Sequence, residues 1–132
     1  MQENYSEFQV GNWVVYLPER NYCTIKSLSP KLILEGALPL QNYITTIERI
    51  GKIKITEDKL QVCGFNVQYP RFIKNFNNEI CVGLVFSSLG VYTLYKNDEE
   101  FCKVQFIHQV QNAYYKITGE LLGGNLYGVQ EG

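Results

Sequence analysis

Along the last third of the chain Ile107, Val110, Tyr114, Ile117 and Leu121 recur at spacings of three and four, which places them on one face of a helix. Gln109, Asn112 and Lys116 fall opposite, and His108, Gln111 and Tyr115 form a flank that is either rim or contact. Thr118-Gly119 supplies a stop, because glycine tolerates the left-handed conformation that closes a helix. The pattern predicts one amphipathic helix over about 107–118, docked on a sheet. A second, shorter helix is predicted over about 56–63. Thr56 suits its N-cap, Glu57 and Asp58 sit where the helix dipole favours negative charge, and Gly64 closes it.

Period two governs most of the remainder. Strands are predicted over 8–16, with a bend at Gly11, and then over 23–28, 31–34 and 42–50. Lys52-Ile53-Lys54-Ile55 alternates strictly, one face in and one face out. Three more strands, over 80–87, 90–96 and 101–106, are joined by short polar or glycine-bearing links, so an antiparallel meander leads into the long helix. The expected fold class is α+β: a small, strongly bent antiparallel sheet or open barrel with the two helices packed on it. The 132 residues, 45% hydrophobic, suit one domain, 1–132, with 123–132 as a loose tail.

Charge and cysteine usage narrow the function classes. A formal charge of −1 and a pI near 5.8 supply no global field for nucleic acid or an anionic membrane. No apolar run approaches the ~18 residues of a membrane span, and 1–5 carries no leader-like pattern, so a cytoplasmic protein is expected. Cys23, Cys63, Cys81 and Cys102 lack metal or redox spacing, which predicts free thiols, no metal and no cofactor. His108 is the only imidazole and has no identifiable nucleophile beside it, Asp98-Glu99-Glu100 suits a solvated turn, and Gly119 to Gly124 lacks the strand–loop–helix context of a phosphate loop. The expectation is a protein that is not an enzyme.

Tyr69-Pro70-Arg71-Phe72-Ile73-Lys74-Asn75-Phe76 interleaves rings with cations. Such a stretch either forms a stacking platform for single-stranded nucleic acid or buries its aromatics and leaves its cations in water. The acidic net charge favours the second reading. Ten tyrosines and one tryptophan also suit protein recognition, since interface centres are built from such side chains.

Three blocks carry a resemblance: Val10-Gly11-Asn12-Trp13-Val14; Ile53 to Leu60 running into Cys63-Gly64-Phe65; and Ile107-His108-Gln109-Val110-Gln111-Asn112-Ala113-Tyr114-Tyr115 followed by Thr118-Gly119-Glu120. Together they resemble a family of small proteins encoded by phages, prophages and mobile elements of the Bacteroidetes, whose blocks read GNWV, PLTEEIL…GF and VHQLQNLYFALTGEEL in that order. Lys54-Ile55 stands where the family has Pro-Leu. The resemblance implies no catalytic residues. It implies a protein that occupies a host protein or ribonucleoprotein, with an anti-CRISPR inhibitor of an RNA-guided effector nuclease, and its guide RNA as a further contact, as the sharpest instance. Alternatives are a nucleic-acid-binding accessory protein and an assembly module of a mobile element. For any of these the candidate contacts are His108, Gln109, Asn112, Tyr115 and Lys116 on the long helix, and Tyr69, Arg71, Phe72 and Lys74 in the aromatic–cation stretch.

Overall fold

The computed structural model describes residues 7–127; the leader-like pattern sought at 1–5 and the outer part of the expected tail, 128–132, lie outside them. The protein is α+β, with two five-stranded antiparallel sheets, neither closed into a barrel, instead of one bent sheet. It divides into two compact units, Met1–Ile53 and Lys54–Gly132, each holding one sheet. Short links pair sequence-neighbouring strands in all but one case, the exception being the last strand of the first sheet, which crosses to pair with the first, so every strand pairing lies within one half of the chain.

In the first unit the strands are β1 (Trp13–Tyr16), β2 (Asn21–Ser27), β3 (Leu32–Glu35), β4 (Asn42–Thr45) and β5 (Ile50–Gly51), in the order β4-β3-β2-β1-β5. Alternation decides the core: Leu32 and Leu34 join Phe8, Val14, Cys23 and Ile25 inside, while Ile33 and Glu35 point away. The strand expected over 42–50 stops at Thr45 and gives way to a 3-10 turn, Ile47–Arg49. The topology requires this, because β4 and β5 lie at opposite edges of the sheet and the chain must cross between them. The strand expected from residue 8 begins only at Trp13, after a turn in which Gly11 takes φ 94° and buried Asn12 accepts a hydrogen bond from Gln9 N through Oδ1 at 2.8 Å.

The second unit begins with α1 (Glu57–Val62), whose N-cap Thr56 accepts from Lys59 N at 3.4 Å. Buried Lys59 donates from Nζ to Lys54 O at 3.1 Å. A five-stranded meander follows: β6 (Asn66–Gln68), β7 (Arg71–Asn75), β8 (Cys81–Ser88), β9 (Val91–Lys96) and β10 (Glu99–Val104), in the order β10-β9-β8-β7-β6. It leads into α2 (Ile107–Thr118), closed by Gly119 at φ 79° with its N–H on Tyr115 O at 2.8 Å. The alternation at 52–55 sets burial but builds no strand: Ile53 and Ile55 are buried, and Lys54 makes a single bridge to Phe106. In the described part of the expected tail, 123–127, Leu126 is buried, as is Leu122 just before it, and Gly124 lies so close to Cys63 that a Cβ there would come within 2.9 Å of its Cα.

Candidate functional site: the open face of the second sheet

Strand alternation gives the second sheet two unlike faces. Phe72, Val82, Leu84, Tyr92 and Leu94 are buried on one, where Phe72 meets Tyr92 edge-on at 6.2 Å between ring centres. α2 packs on that side, with the Tyr114 ring edge-on to Phe76 at 6.3 Å. The other face carries Arg71 and Ile73 from β7, Cys81, Gly83 and Val85 from β8, and Tyr95 from β9. A hollow of about 570 Å³ lies over it.

The hollow exists because its centre has no side chain. Gly83 pairs with Ile73 on one side and Tyr95 on the other, so the flanking side chains stand up around a gap. A Cβ at position 83 would meet nothing nearer than Phe72 O at 3.8 Å, so packing does not require glycine there. Charge enters at the rim. Arg71 Nη1 lies 4.0 Å from Asp98 Oδ1, with both side chains well exposed, a geometry worth under ~1 kcal/mol that leaves either group able to exchange partners. Asn97 fixes the turn bearing Asp98: at φ 57° it donates from N to Cys81 O at 2.7 Å and accepts from Cys81 N at 3.0 Å through Oδ1. An apolar floor with a ring on one wall and a guanidinium beside it has the composition of an interface centre, with the exposed Asp98 carboxylate on its polar rim.

The aromatic–cation stretch does not form one platform. Period two sends Arg71 to the open face and Phe72 and Lys74 to the other. Phe72 is 4% exposed and leaves the set of contact candidates, since it cannot stack on a base or touch a partner from within the core. Lys74 sits with Nζ 6.0 Å from the centre of the Tyr114 ring. Tyr69 is 73% exposed, in the β6–β7 turn, and its hydroxyl donates to the Glu57 carboxylate, which raises its pKa. The four residues therefore divide among a turn, an open face and a covered face.

The helix candidates divide as well. His108 is fully buried, its ring nearly parallel to that of Phe106 at 6.1 Å, and it too leaves the contact set. Gln111, three residues on along the same flank, is also buried, whereas Tyr115, two turns after His108, is 49% exposed. The buried arc is thus wide at the start of α2 and narrow at its end. Gln109 is occupied structurally: its Oε1 accepts from Gln105 N at 2.7 Å and Phe106 N at 3.2 Å. Phe106 has no side-chain acceptor, so this is only the returning half of a capping box. Asn112 is half-buried, and Lys116 and Tyr115 form the exposed end.

Gly83, Tyr95 and Asn97 escaped the sequence reading. Gly83 had a usable signal, because a glycine inside a long β-branched and apolar run marks a place where side-chain packing is interrupted. The three resembling blocks, in turn, coincide with the punctuation of the fold: the Gly11–Asn12 turn, the Thr56 cap and the Gln109 and Gly119 ends of α2. All four cysteines are free. Among the described residues no cluster of three or more His, Cys, Asp or Glu side chains is arranged to hold a metal, and no helix is long and apolar enough to cross a membrane. Comparison with family models, with curated proteins and with solved structures finds no match for this chain.

Proposed function

We propose that this chain is a non-enzymatic binding protein of a phage or mobile element, working in the cytoplasm of a bacterial host as an inhibitor of a defence system. An anti-CRISPR protein acting on an RNA-guided effector nuclease is the specific form of this reading. The observation that carries the binding role is the hollow over the second sheet, with Gly83 leaving an apolar floor open beneath Arg71, Asp98 and Tyr95. The resemblance of the three blocks to proteins of mobile elements supports the context.

The test is phage plating on a host whose RNA-guided nuclease targets that phage, with and without this protein, joined to affinity purification from the same cells with half the sample nuclease-treated. Plating should rise, and the effector should be recovered from both halves. Gly83→Val should fold normally, fill the hollow and weaken effector binding at least ~10-fold, while Arg71→Ala should remove a rim contact with a similar sign. The absence of both plating rescue and effector recovery defeats the proposal. Recovery only from the untreated half replaces it with nucleic-acid binding, whose affinity should then fall steeply with salt.

A further inference from the structure

Two open sheets have four edges, and three of them carry features that obstruct pairing with another chain. β5 is two residues long. β6 has three and runs directly into Tyr69-Pro70. β10 presents Glu99, Glu100 and Lys103, and its register with β9 shifts between Glu100 and Cys102. β4, at four residues, is short as well but carries none of the other devices. It pairs with β3 without a break from Leu32↔Thr45 to Glu35↔Asn42, contains no proline, and lies in a stretch, 36–47, without one ionisable side chain of the Asp, Glu, Lys, Arg or His type.

The surface around that edge is apolar and held in place. Ile44 is 67% exposed on β4, and the preceding loop presents Leu38 at 66% and Leu40 at 95%. Leu40 is held at φ 63°, a left-handed conformation that leucine rarely adopts. Gln41 fixes the loop: Oε1 accepts from Leu38 N at 3.0 Å, Nε2 donates to the Tyr43 hydroxyl at 2.8 Å, and its carbonyl accepts from Gly36 N at 2.7 Å. The loop thus presents two leucines to solvent beside the exposed Ile44 of the edge strand.

We propose that this edge binds a second copy of the same chain, β4 against β4 antiparallel about a two-fold axis, joining two five-stranded sheets into one of ten. The chemistry of the strand selects this occupant. In antiparallel pairing, opposed residues must share both the direction of their peptide groups and their face of the sheet. An axis at Ile44 meets both conditions: it sets Ile44 against the partner's Ile44, Tyr43 against the partner's Thr45 and Asn42 against the partner's Thr46. Apolar meets apolar, ring meets branched side chain, amide meets hydroxyl, and no like charges are opposed. Self-pairing of β10 would instead bring its acidic pair and its bulge against their own copies. The β4 edge is only four residues long, which places the dimer among the weak, transient associations.

Sedimentation equilibrium of the full chain over ~1–500 µM should show a monomer–dimer equilibrium. Ile44→Lys opposes a charge to its own copy and should weaken the dimer at least ~10-fold, with an unchanged circular dichroism spectrum because Ile44 is exposed. Leu40→Asn keeps a residue that accepts positive φ, removes the apolar tip and should weaken the dimer in the same direction. Hydrogen exchange at rising concentration should show added protection at amides of 42–45. A wild-type monomer throughout, a dimer insensitive to both variants, or concentration-dependent protection confined to other segments overturns the proposal. None of these outcomes depends on a defence target, so the assembly and the proposed function fail separately.

Discussion

The four thiols show how one residue type acquires different chemistry from its surroundings. Burial raises Cys23 from an ordinary value near 9.0 to about 11, with Glu19 adding to the rise, and burial raises Cys63 to about 11 against an opposing effect of Lys74. Since the thiolate is the reactive form, both should be nearly inert at neutral pH. Cys102 is also raised by burial. Cys81 is half-buried and lines the hollow. A maleimide at pH 7.5 should therefore label Cys81 first, at least ~10-fold faster than Cys23 or Cys63, as read by peptide mass spectrometry. Protection of Cys81 by a bound partner would then place that partner over the hollow. Preferential labelling of Cys23 or Cys63 would contradict the burial described for them. The cysteine count and spacing already excluded a metal knuckle, but the ranking of the four thiols depends on neighbours distant in sequence.

At the scale of the element, α2 shows where periodicity is sufficient and where it is not. The spacing of Ile107, Val110 and Tyr114 located the helix and its inner stripe, and the Thr118-Gly119 stop falls where it was expected. The same pattern treated His108 as a surface candidate, because a polar side chain one position off the stripe gives no sign of how far the cover extends. Gln109 was placed on the outer face, and it stands there as a cap acceptor for two backbone N–H groups. Gln109→Ala should leave both donors without that acceptor and cost about 1 kcal/mol, measured by urea unfolding. Gln109→Glu should retain the acceptor and most of the stability, a contrast not expected if Gln109 acted only as a partner contact. β7 offers the complementary case: its rings and cations were legible as a mixed stretch, and strand alternation then separated Arg71 from Phe72 and Lys74.

For the whole molecule, the buried thiols make a statement about pH. A group whose pKa is raised by folding stabilises the native state fully below its unfolded value and loses that contribution as pH climbs through its folded value. For Cys23 and Cys63 the loss runs from about pH 9 to about 11. Burial raises Tyr92 and Tyr114 as well, with the same sign. Urea melts should show stability declining from pH 9 to 11, by no more than ~3 kcal/mol per thiol. A profile flat to pH 11 would contradict the burial of these groups. The sequence by itself determined the α+β class, the two helices with the Thr56 cap of the first and the Gly119 stop of the second, the last three strands of the second half's meander and the absence of metal-ligand spacing, because periodicity, capping and turn chemistry act between residues a few positions apart; it missed β6 and β7. Only the tertiary structure decided that the strands form two sheets, that His108 and Phe72 are enclosed, that Gly83 opens a hollow beside Arg71 and Asp98, and that β4 stands at an unprotected edge. These outcomes depend on which strands become neighbours and on what covers each face, and local pattern carries neither.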